Sequence, residues 1–175
     1  MTQEPVPFPQ VILLGFLMPG PQHGYRLHQE FERELGQVWY IGRSQLYAYL
    51  KQLAGAGLVR VETEPSDSYP PRKVYRLMPA GERAFQRWLK EPTPFLRQIR
   101  IEFLARLYFY RRLSLPGMEE LIARQKAVLA ARIGGQQRAA EEAEDVFTRL
   151  VAEFRQGQLE AVIRWLDRCL DSSHA

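Results

Sequence analysis

The side chains best suited to bind another molecule lie close together in the segment from Arg43 to Lys51. Arginine can donate two hydrogen bonds to guanine, glutamine can read adenine, and serine, tyrosine and lysine can contact phosphates. Leu46, Leu50 and Leu53 recur at helical spacing, which predicts that the polar residues face away from the protein core. The candidate DNA-reading residues on this helix are Arg43, Ser44, Gln45, Tyr47, Tyr49 and Lys51.

Two members of this set have an equally simple structural explanation. Tyr49 lies beside the leucine stripe, so it could pack against its own domain rather than contact DNA. Gln45 could simply be solvated. For these two residues the sequence leaves both readings open.

A second basic group lies at the start of the second of two short segments that alternate like strands. Residues 58–61 (LVRV) and 73–77 (KVYRL) alternate apolar and polar side chains, and the segment between them is rich in turn formers. This pattern predicts a β-wing over about residues 59–77, with Arg72 and Lys73 at its basic tip. These cations are expected to contact phosphate or the minor groove, the alternative being a solvated hairpin tip.

Tyr25 is the last candidate, at the start of a helix predicted over residues 23–35. Helix N-termini favour anions, so Tyr25 could contact a DNA phosphate. It could equally be buried and pack on the DNA-reading helix. The sequence does not choose between the two.

The first half of the chain supplies a scaffold for these residues. Prolines bracket the apolar segment 10–17, which predicts a short buried helix. The DNA-reading helix is predicted over 44–56, with Gly57 as its left-handed cap, and Pro79 opens a helix that ends near Lys90. Residues 1–91 are therefore predicted to form a winged helix-turn-helix domain.

Residues 92–175 are predicted to be an all-α, coiled-coil-like dimerisation domain. Its main feature is a long helix from about Pro116 to Phe154, and Gly157 is expected to separate it from a last helix. The Gly134-Gly135 pair indicates either a bend in the long helix or the close approach of another backbone. Residues spaced alternately by four and three define the seam, with Gln136 in its middle: Leu129, Ile133, Ala140, Ala143, Phe147, Leu150 and Phe154.

Composition sets limits on location and partners. The chain has 175 residues, a net charge of only +4 and a single cysteine, so no intrachain disulfide can form. Cys169 is expected to be a small buried apolar residue, with a redox-active thiol as the alternative. The longest apolar run is too short to span a bilayer, and the N-terminal flank lacks the basic residues of a secretory signal. We expect a soluble cytoplasmic protein with no membrane partner.

Enzymatic chemistry is not indicated. The sequence groups no nucleophile with a base, no glycine-rich phosphate loop and no cluster of metal ligands. His23 and His28 are five residues apart and point to different faces of a helix. We therefore expect no catalytic residues, no metal and no cofactor.

Three separated motifs resemble the PadR family of bacterial winged-helix transcriptional regulators. They are ILLGFLMPGPQHGYRL at 12–27, the block from Trp39 to Val59, and PPRKVYRLMPAG at 70–81. The resemblance covers about residues 11–90, and the C-terminal half is similar to the longer PadR subfamily. It implies a homodimer that binds a palindromic operator in double-stranded DNA and represses transcription. It also implies a small-molecule effector that releases the operator, for which we assign no residues.

The chain departs from the family pattern at the start of the DNA-reading helix. The family commonly has Ser-Pro-Gly where this chain has Gly42, Arg43 and Ser44. Its threonine before the helix after the wing is Met78 here, which removes an N-cap typically worth about 1 kcal/mol. Arg43 adds a cation at the helix start, so operator preference is where this chain should differ.

The expected fold is thus mainly α with a small β-wing. The expected function is that of a DNA-binding transcriptional regulator. The alternative is a winged-helix protein-interaction module that does not bind DNA, which the modest net charge and the seam would also fit.

Overall fold

A computed structural model of the chain describes residues 5–64 and 72–171. Its helices are α1 (Gln10–Phe16), α2 (Gly24–Leu35), α3 (Arg43–Gly55), α4 (Pro79–Lys90), α5 (Leu96–Gln98), α6 (Leu104–Arg112), α7 (Met118–Glu141) and α8 (Val146–Asp171). Its strands are β1 (Gln22–His23), β2 (Val59–Glu64) and β3 (Arg72–Leu77). The expectation of a mainly helical chain with a small β-wing is confirmed. Among the described residues, no helix combines the length and apolarity that a bilayer span requires.

The chain divides into two units, and the first comprises residues 1–91 and 99–115. Its centre is α1, the short apolar helix that the flanking prolines predicted, of which every residue after Gln10 is buried. A Cβ added at Gly15 would lie 2.6 Å from ring carbons of Phe85 and Phe109. Gly15 thus lets aromatic rings from α4 and α6 pack directly on the α1 backbone.

The wing is larger than the sequence predicted. In place of a two-stranded hairpin, the sheet has three antiparallel strands in the order β1-β3-β2. Strand β1 pairs Gln22 with Tyr75 and His23 with Val74, joining the start of α2 to the wing. The loop between β2 and β3, residues 65–71, lies outside the described residues.

The join between the wing and α4 depends on Gly81. The amide of Met78 donates to the carbonyl of Leu58 at 3.0 Å, and Met78 makes no side-chain cap of α4, as its apolar side chain requires. A Cβ added at Gly81 would lie 2.3 Å from the same Leu58 carbonyl oxygen. Because the Gly81 backbone fixes the position of the Cβ and the oxygen belongs to the Leu58 backbone, the clash cannot be relieved by a side-chain rotation.

Gly81→Ala is therefore expected to lower the free energy of unfolding by about 1–3 kcal/mol, the usual cost of overpacking. The matched control is Gly55→Ala, because a Cβ at Gly55 in α3 would meet nothing within 4 Å. Urea unfolding followed by circular dichroism measures both variants. Equal stability of the two variants would contradict the close packing of α4 on the wing.

The segment from 96 to 112 is not one regular helix. A π-helical turn, Ile99–Phe103, separates α5 from α6. It brings Glu102 beside Arg106, whose guanidinium donates to Glu102 at 2.8 Å and to the Trp88 carbonyl at 2.8 Å. Burial lowers the pKa of Arg106, and the neighbouring Glu102 carboxylate opposes that shift. The buried pair fixes α6 to α4 within the first unit.

This packing places residues 99–115 with the first unit, so the chain does not divide once at residues 91–92. The second unit comprises residues 92–98 and 116–175. Gln125 ties its two segments together. The Gln125 side chain accepts from the Thr93 amide at 2.6 Å and donates to the Thr93 carbonyl at 3.1 Å.

The prediction of one long helix to Phe154 was wrong. Helix α7 ends at Glu141, and α8 begins at Val146 and continues through Gly157, which does not interrupt it. Asp145 is the physical reason, because its carboxylate accepts a hydrogen bond from the Thr148 amide at 2.9 Å and so caps α8. Hydrogen bonds from Thr148 also lower the pKa of Asp145.

The predicted seam is therefore split between two helices. Leu129 is only 1% exposed, so it belongs to the core of its own unit rather than to a surface. The α7 part also includes Ile133 and Ala140, while Ala143 lies between the helices. The α8 part is on the surface, with exposed fractions of 75% for Phe147, 56% for Leu150 and 66% for Phe154. Helix α7 continues without interruption through Gly134 and Gly135.

Candidate nucleic-acid interface

Helix α3 has the two faces that its sequence predicted. Leu46, Leu50 and Leu53 are at most 1% exposed and attach the helix to the domain. The helix begins at Arg43, and Gly57 follows it with a left-handed φ of +69°. The opposite face exposes four of the candidate residues, namely Arg43, Ser44, Gln45 and Lys51.

Tyr47 lies at the edge of this exposed face. Its side chain is 38% exposed, and a Cβ added at Gly24 would be 2.6 Å from its ring. Gly24 therefore makes room for Tyr47 at the start of α2. Burial raises the pKa of Tyr75 on β3, and the nearby Tyr47 adds to that shift. Tyr47 thus packs between α2 and the wing while keeping part of its ring on the surface.

Tyr49 and Gln45 are linked to each other. The Gln45 side-chain amide donates to the Tyr49 hydroxyl, one helical turn away. Tyr49 is partly buried, as expected from its position beside the leucine stripe, and Gln45 is exposed. The hydrogen bond orients Gln45 rather than leaving it merely solvated.

Tyr25 lies on the surface, so the reading in which it is buried is wrong. It is 51% exposed, and the Arg43 guanidinium carbon lies 5.7 Å from the centre of its ring. Gln29 donates to the Tyr25 hydroxyl at 2.7 Å. Tyr25 therefore connects the start of α2 to the start of α3 and supports Arg43 through a cation–π contact.

Gln29 was not among the site residues predicted from the sequence. Its separation of four residues from Tyr25 on a predicted helix is the signal that could have indicated it. Its own side chain is exposed on the same helix surface as Tyr25. Gln29 therefore joins the candidate interface through its bond to Tyr25.

The wing contributes Arg72 and Lys73 at its outer end. Both side chains are exposed, and in the strand register Arg72 lies opposite Glu64 and Lys73 opposite Thr63. The Glu64 carboxylate lies 3.6 Å from the His23 ring, two residues before Tyr25. The structure thus brings the outer end of β2, at Glu64, next to the start of α2.

Two further wing arginines were not predicted. Arg60 and Arg76 are 67% and 50% exposed and lie 3.7 Å and 3.3 Å from Glu62. A hydrogen bond and the positive charge of Arg76 lower the pKa of Glu62. This face of the wing therefore carries one carboxylate between two cations. The alternation of the strand sequence could have indicated that these charged side chains share a face.

The region described by the structure contains no cluster of three or more histidine, cysteine or carboxylate side chains that could hold a metal ion. Its two described histidines in the first unit contact protein groups instead. His23 faces Glu64, and His28 lies between Glu32 and the Ile41 carbonyl.

Comparisons with known proteins identify transcriptional regulators as similar to this chain. The profile of the transcriptional regulator PadR-like family matches residues 13–87, and the virulence activator alpha C-terminal profile matches residues 99–172. The negative transcriptional regulator PadR of Bacillus subtilis is 32% identical over 102 residues, covering 58% of this chain and 56% of that protein. A probable transcriptional regulator of Mycobacterium tuberculosis is 31% identical over 84 residues, covering 48% of this chain and 44% of its own length. The matches span about half of these curated relatives.

Two solved structures match over a longer range of the chain. The complex of B. subtilis PadR with operator DNA is 26% identical and covers 93% of this chain and 97% of that chain, with a TM-score of 0.48. The complex of the same protein with p-coumaric acid is 25% identical and covers 95% and 98%, with a TM-score of 0.44.

The helix pair α2–α3 and the three-stranded wing define a winged helix-turn-helix protein. Residues 13–87 are a PadR-like domain, the kind that defines the PadR-like family of transcriptional regulators. The family resemblance of the three sequence motifs is confirmed.

Proposed function

We propose that this protein is a homodimeric DNA-binding repressor that inserts α3 into the major groove of its operator. The observation that carries the proposal is the start of α3, where an exposed arginine is supported by Tyr25 and followed by exposed Ser44 and Gln45. Arginine held in this way is suited to bidentate hydrogen bonding with guanine. The sign of regulation follows the B. subtilis relative, which is named a negative regulator.

The wing would supply contacts that hold the domain on DNA without reading sequence. Arg72 and Lys73 are exposed next to the start of α2, where backbone amides also favour phosphate. Lys51 lies two turns beyond Arg43 on α3, about 12 Å along the helix, and would contact the phosphate backbone.

A second copy of the chain would complete the site. Phe147, Leu150 and Phe154 form an exposed apolar stripe on α8, and such a stripe is suited to a partner helix. A dimer would present two α3 helices about 34 Å apart, the spacing of one turn of B-DNA. Of the predicted seam residues, these three carry the dimer proposal.

The remaining parts of the proposal follow from the family. A cytoplasmic location, the lack of catalytic activity and release by a small-molecule effector are all features expected of such a regulator. The effector would act by favouring a dimer with the wrong spacing between the two α3 helices.

Replacing both Arg72 and Lys73 by alanine is expected to weaken DNA binding at low salt and to flatten its salt dependence. Each lost phosphate contact should reduce the slope of log K against log salt by about 0.9. The matched control is Arg83→Ala with Arg87→Ala, which removes the same charge from the exposed face of α4. Fluorescence anisotropy at several salt concentrations gives both slopes. A slope unchanged by the wing substitutions would remove the wing from the interface.

The proposed function is tested by binding of the full-length protein to the DNA upstream of its own gene. We expect saturable binding that falls linearly with log salt and exceeds binding to a shuffled duplex. Absent or salt-independent binding would contradict DNA recognition and favour a protein-interaction module.

A further inference from the structure

His28 is a buried polar residue that the candidate interface does not use. It lies on α2 with only 5% of its surface exposed. Its Nε2 atom is 3.1 Å from the carbonyl oxygen of Ile41, and its Nδ1 atom is 3.2 Å from the Glu32 carboxylate. Both neighbours are hydrogen-bond acceptors, so the ring must donate to whichever it binds.

The two contacts of His28 differ in how easily solvent can replace them. Glu32 is on the same helix and its side chain is 45% exposed, so solvent can replace its contact with His28. The Ile41 carbonyl belongs to a residue that is only 1% exposed, so solvent cannot take the place of its donor. A buried carbonyl without a donor carries a desolvation cost, which favours an Nε2–H that donates to Ile41.

Ile41 immediately precedes the start of α3. Gly42 is the N-cap residue of that helix, with an extended backbone and no side chain to cap it. The next residue is Arg43, the proposed guanine reader. The hydrogen bond from His28 therefore fixes the backbone one residue before the cap, from a separate helix that packs beneath α3.

We propose that His28 is a positioning residue for operator recognition, an inference that rests on the proposed DNA-binding function. Its Nε2–H holds the Ile41 carbonyl and so sets the place and direction in which α3 presents Arg43. Loss of this bond should reduce discrimination between DNA sequences more than it reduces general affinity for DNA, because phosphate contacts tolerate small displacements that base contacts do not.

The test compares full-length His28→Leu, His28→Gln and Leu89→Ala. Leucine fills the space without a donor, whereas the glutamine amide can donate to the Ile41 carbonyl. Leu89, in α4, is 3% exposed and provides a core truncation that destabilises the same unit without removing a bond to Ile41. Affinities are measured for the upstream DNA and for a shuffled duplex, together with the Tm of each variant.

We expect His28→Leu to lower the ratio of specific to shuffled affinity at least tenfold, with shuffled affinity within about twofold of wild type. His28→Gln should restore the ratio to within about threefold, and Leu89→Ala should keep it despite its lower Tm. A ratio unchanged in His28→Leu, or lowered equally in Leu89→Ala, would overturn the inference.

Two further readouts keep the outcomes distinct. If His28→Leu does not fold, nitrogen-15 spectra of the wild-type imidazole decide the matter. A proton on Nε2 is expected, and a ring protonated only on Nδ1 would overturn the inference. If the wild-type protein itself does not prefer upstream DNA, both the proposed function and the inference about His28 fail. Failure of the inference alone would leave the wild type and His28→Leu discriminating equally.

Discussion

Arg43→Ala is expected to lower affinity for the preferred DNA by about 10- to 100-fold per half-site, because each bidentate arginine–guanine contact is worth about 1–3 kcal/mol of discrimination. Preference at one base pair of each half-site should relax at the same time. The guanidinium is exposed at the first position of α3 and lies over the Tyr25 ring, so its loss leaves the fold intact while removing a base contact.

The measurement is selection from a randomised DNA pool, followed by anisotropy with the selected duplex and its single-base variants. Arg87→Ala is the matched control, since it removes an equal charge from the exposed side of α4. An Arg43 variant that weakens all sequences equally would instead make Arg43 a phosphate contact. In that case sequence preference would have to come from other residues of α3.

The double variant Phe147→Asp with Phe154→Asp should dissociate the dimer. These side chains are among the most exposed large apolar groups in the described chain, and burying two aspartates in an apolar interface is strongly unfavourable. Because each half-site would then bind independently, apparent operator affinity should fall by about 10²- to 10⁴-fold. Binding of a single half-site duplex should change little.

Sedimentation velocity and anisotropy measure the two effects separately. Phe95→Asp is the control, because Phe95 is 46% exposed in the same unit but does not lie on α8. Retention of the dimer by the double variant would place the interface on another surface. Loss of the dimer without loss of operator affinity would show that binding does not require two copies.

The parts of the fold that follow a local pattern could be predicted from the sequence. The leucine spacing in α3 identified both its buried face and, by difference, its exposed polar face. Proline and glycine positions located α1 and the end of α3, since these residues restrict the backbone directly. The candidate set at the start of α3 depended only on such local signals.

The features that were missed depend on contacts between distant segments. Strand β1 has two residues, which is too short for an alternating pattern, and it exists because Gln22 and His23 pair with β3. The return of α6 to the first unit depends on Phe109 and Arg106 finding partners on α1 and α4. Neither pairing leaves a periodic signal in the sequence.

The seam shows how a local pattern can be correct in spacing and wrong in meaning. Steps of four and three continue through residues 140–147, but Asp145 caps a new helix within that stretch. A cap and its turn fix the backbone of a few residues directly, whereas a heptad pattern only favours continuation. The Asp-x-x-Thr sequence at Asp145 and Thr148 was the available signal for the break.

The most direct test of the account is hydroxyl-radical footprinting of the full-length protein on the DNA upstream of its gene. Two copies of α3 in successive major grooves predict two protected tracts with symmetric sequence, centred about 34 Å apart. Arg43→Ala should weaken protection of both tracts together. A single protected tract would contradict recognition of a palindromic operator by a dimer. So would an absence of protection at protein concentrations that saturate DNA binding in solution.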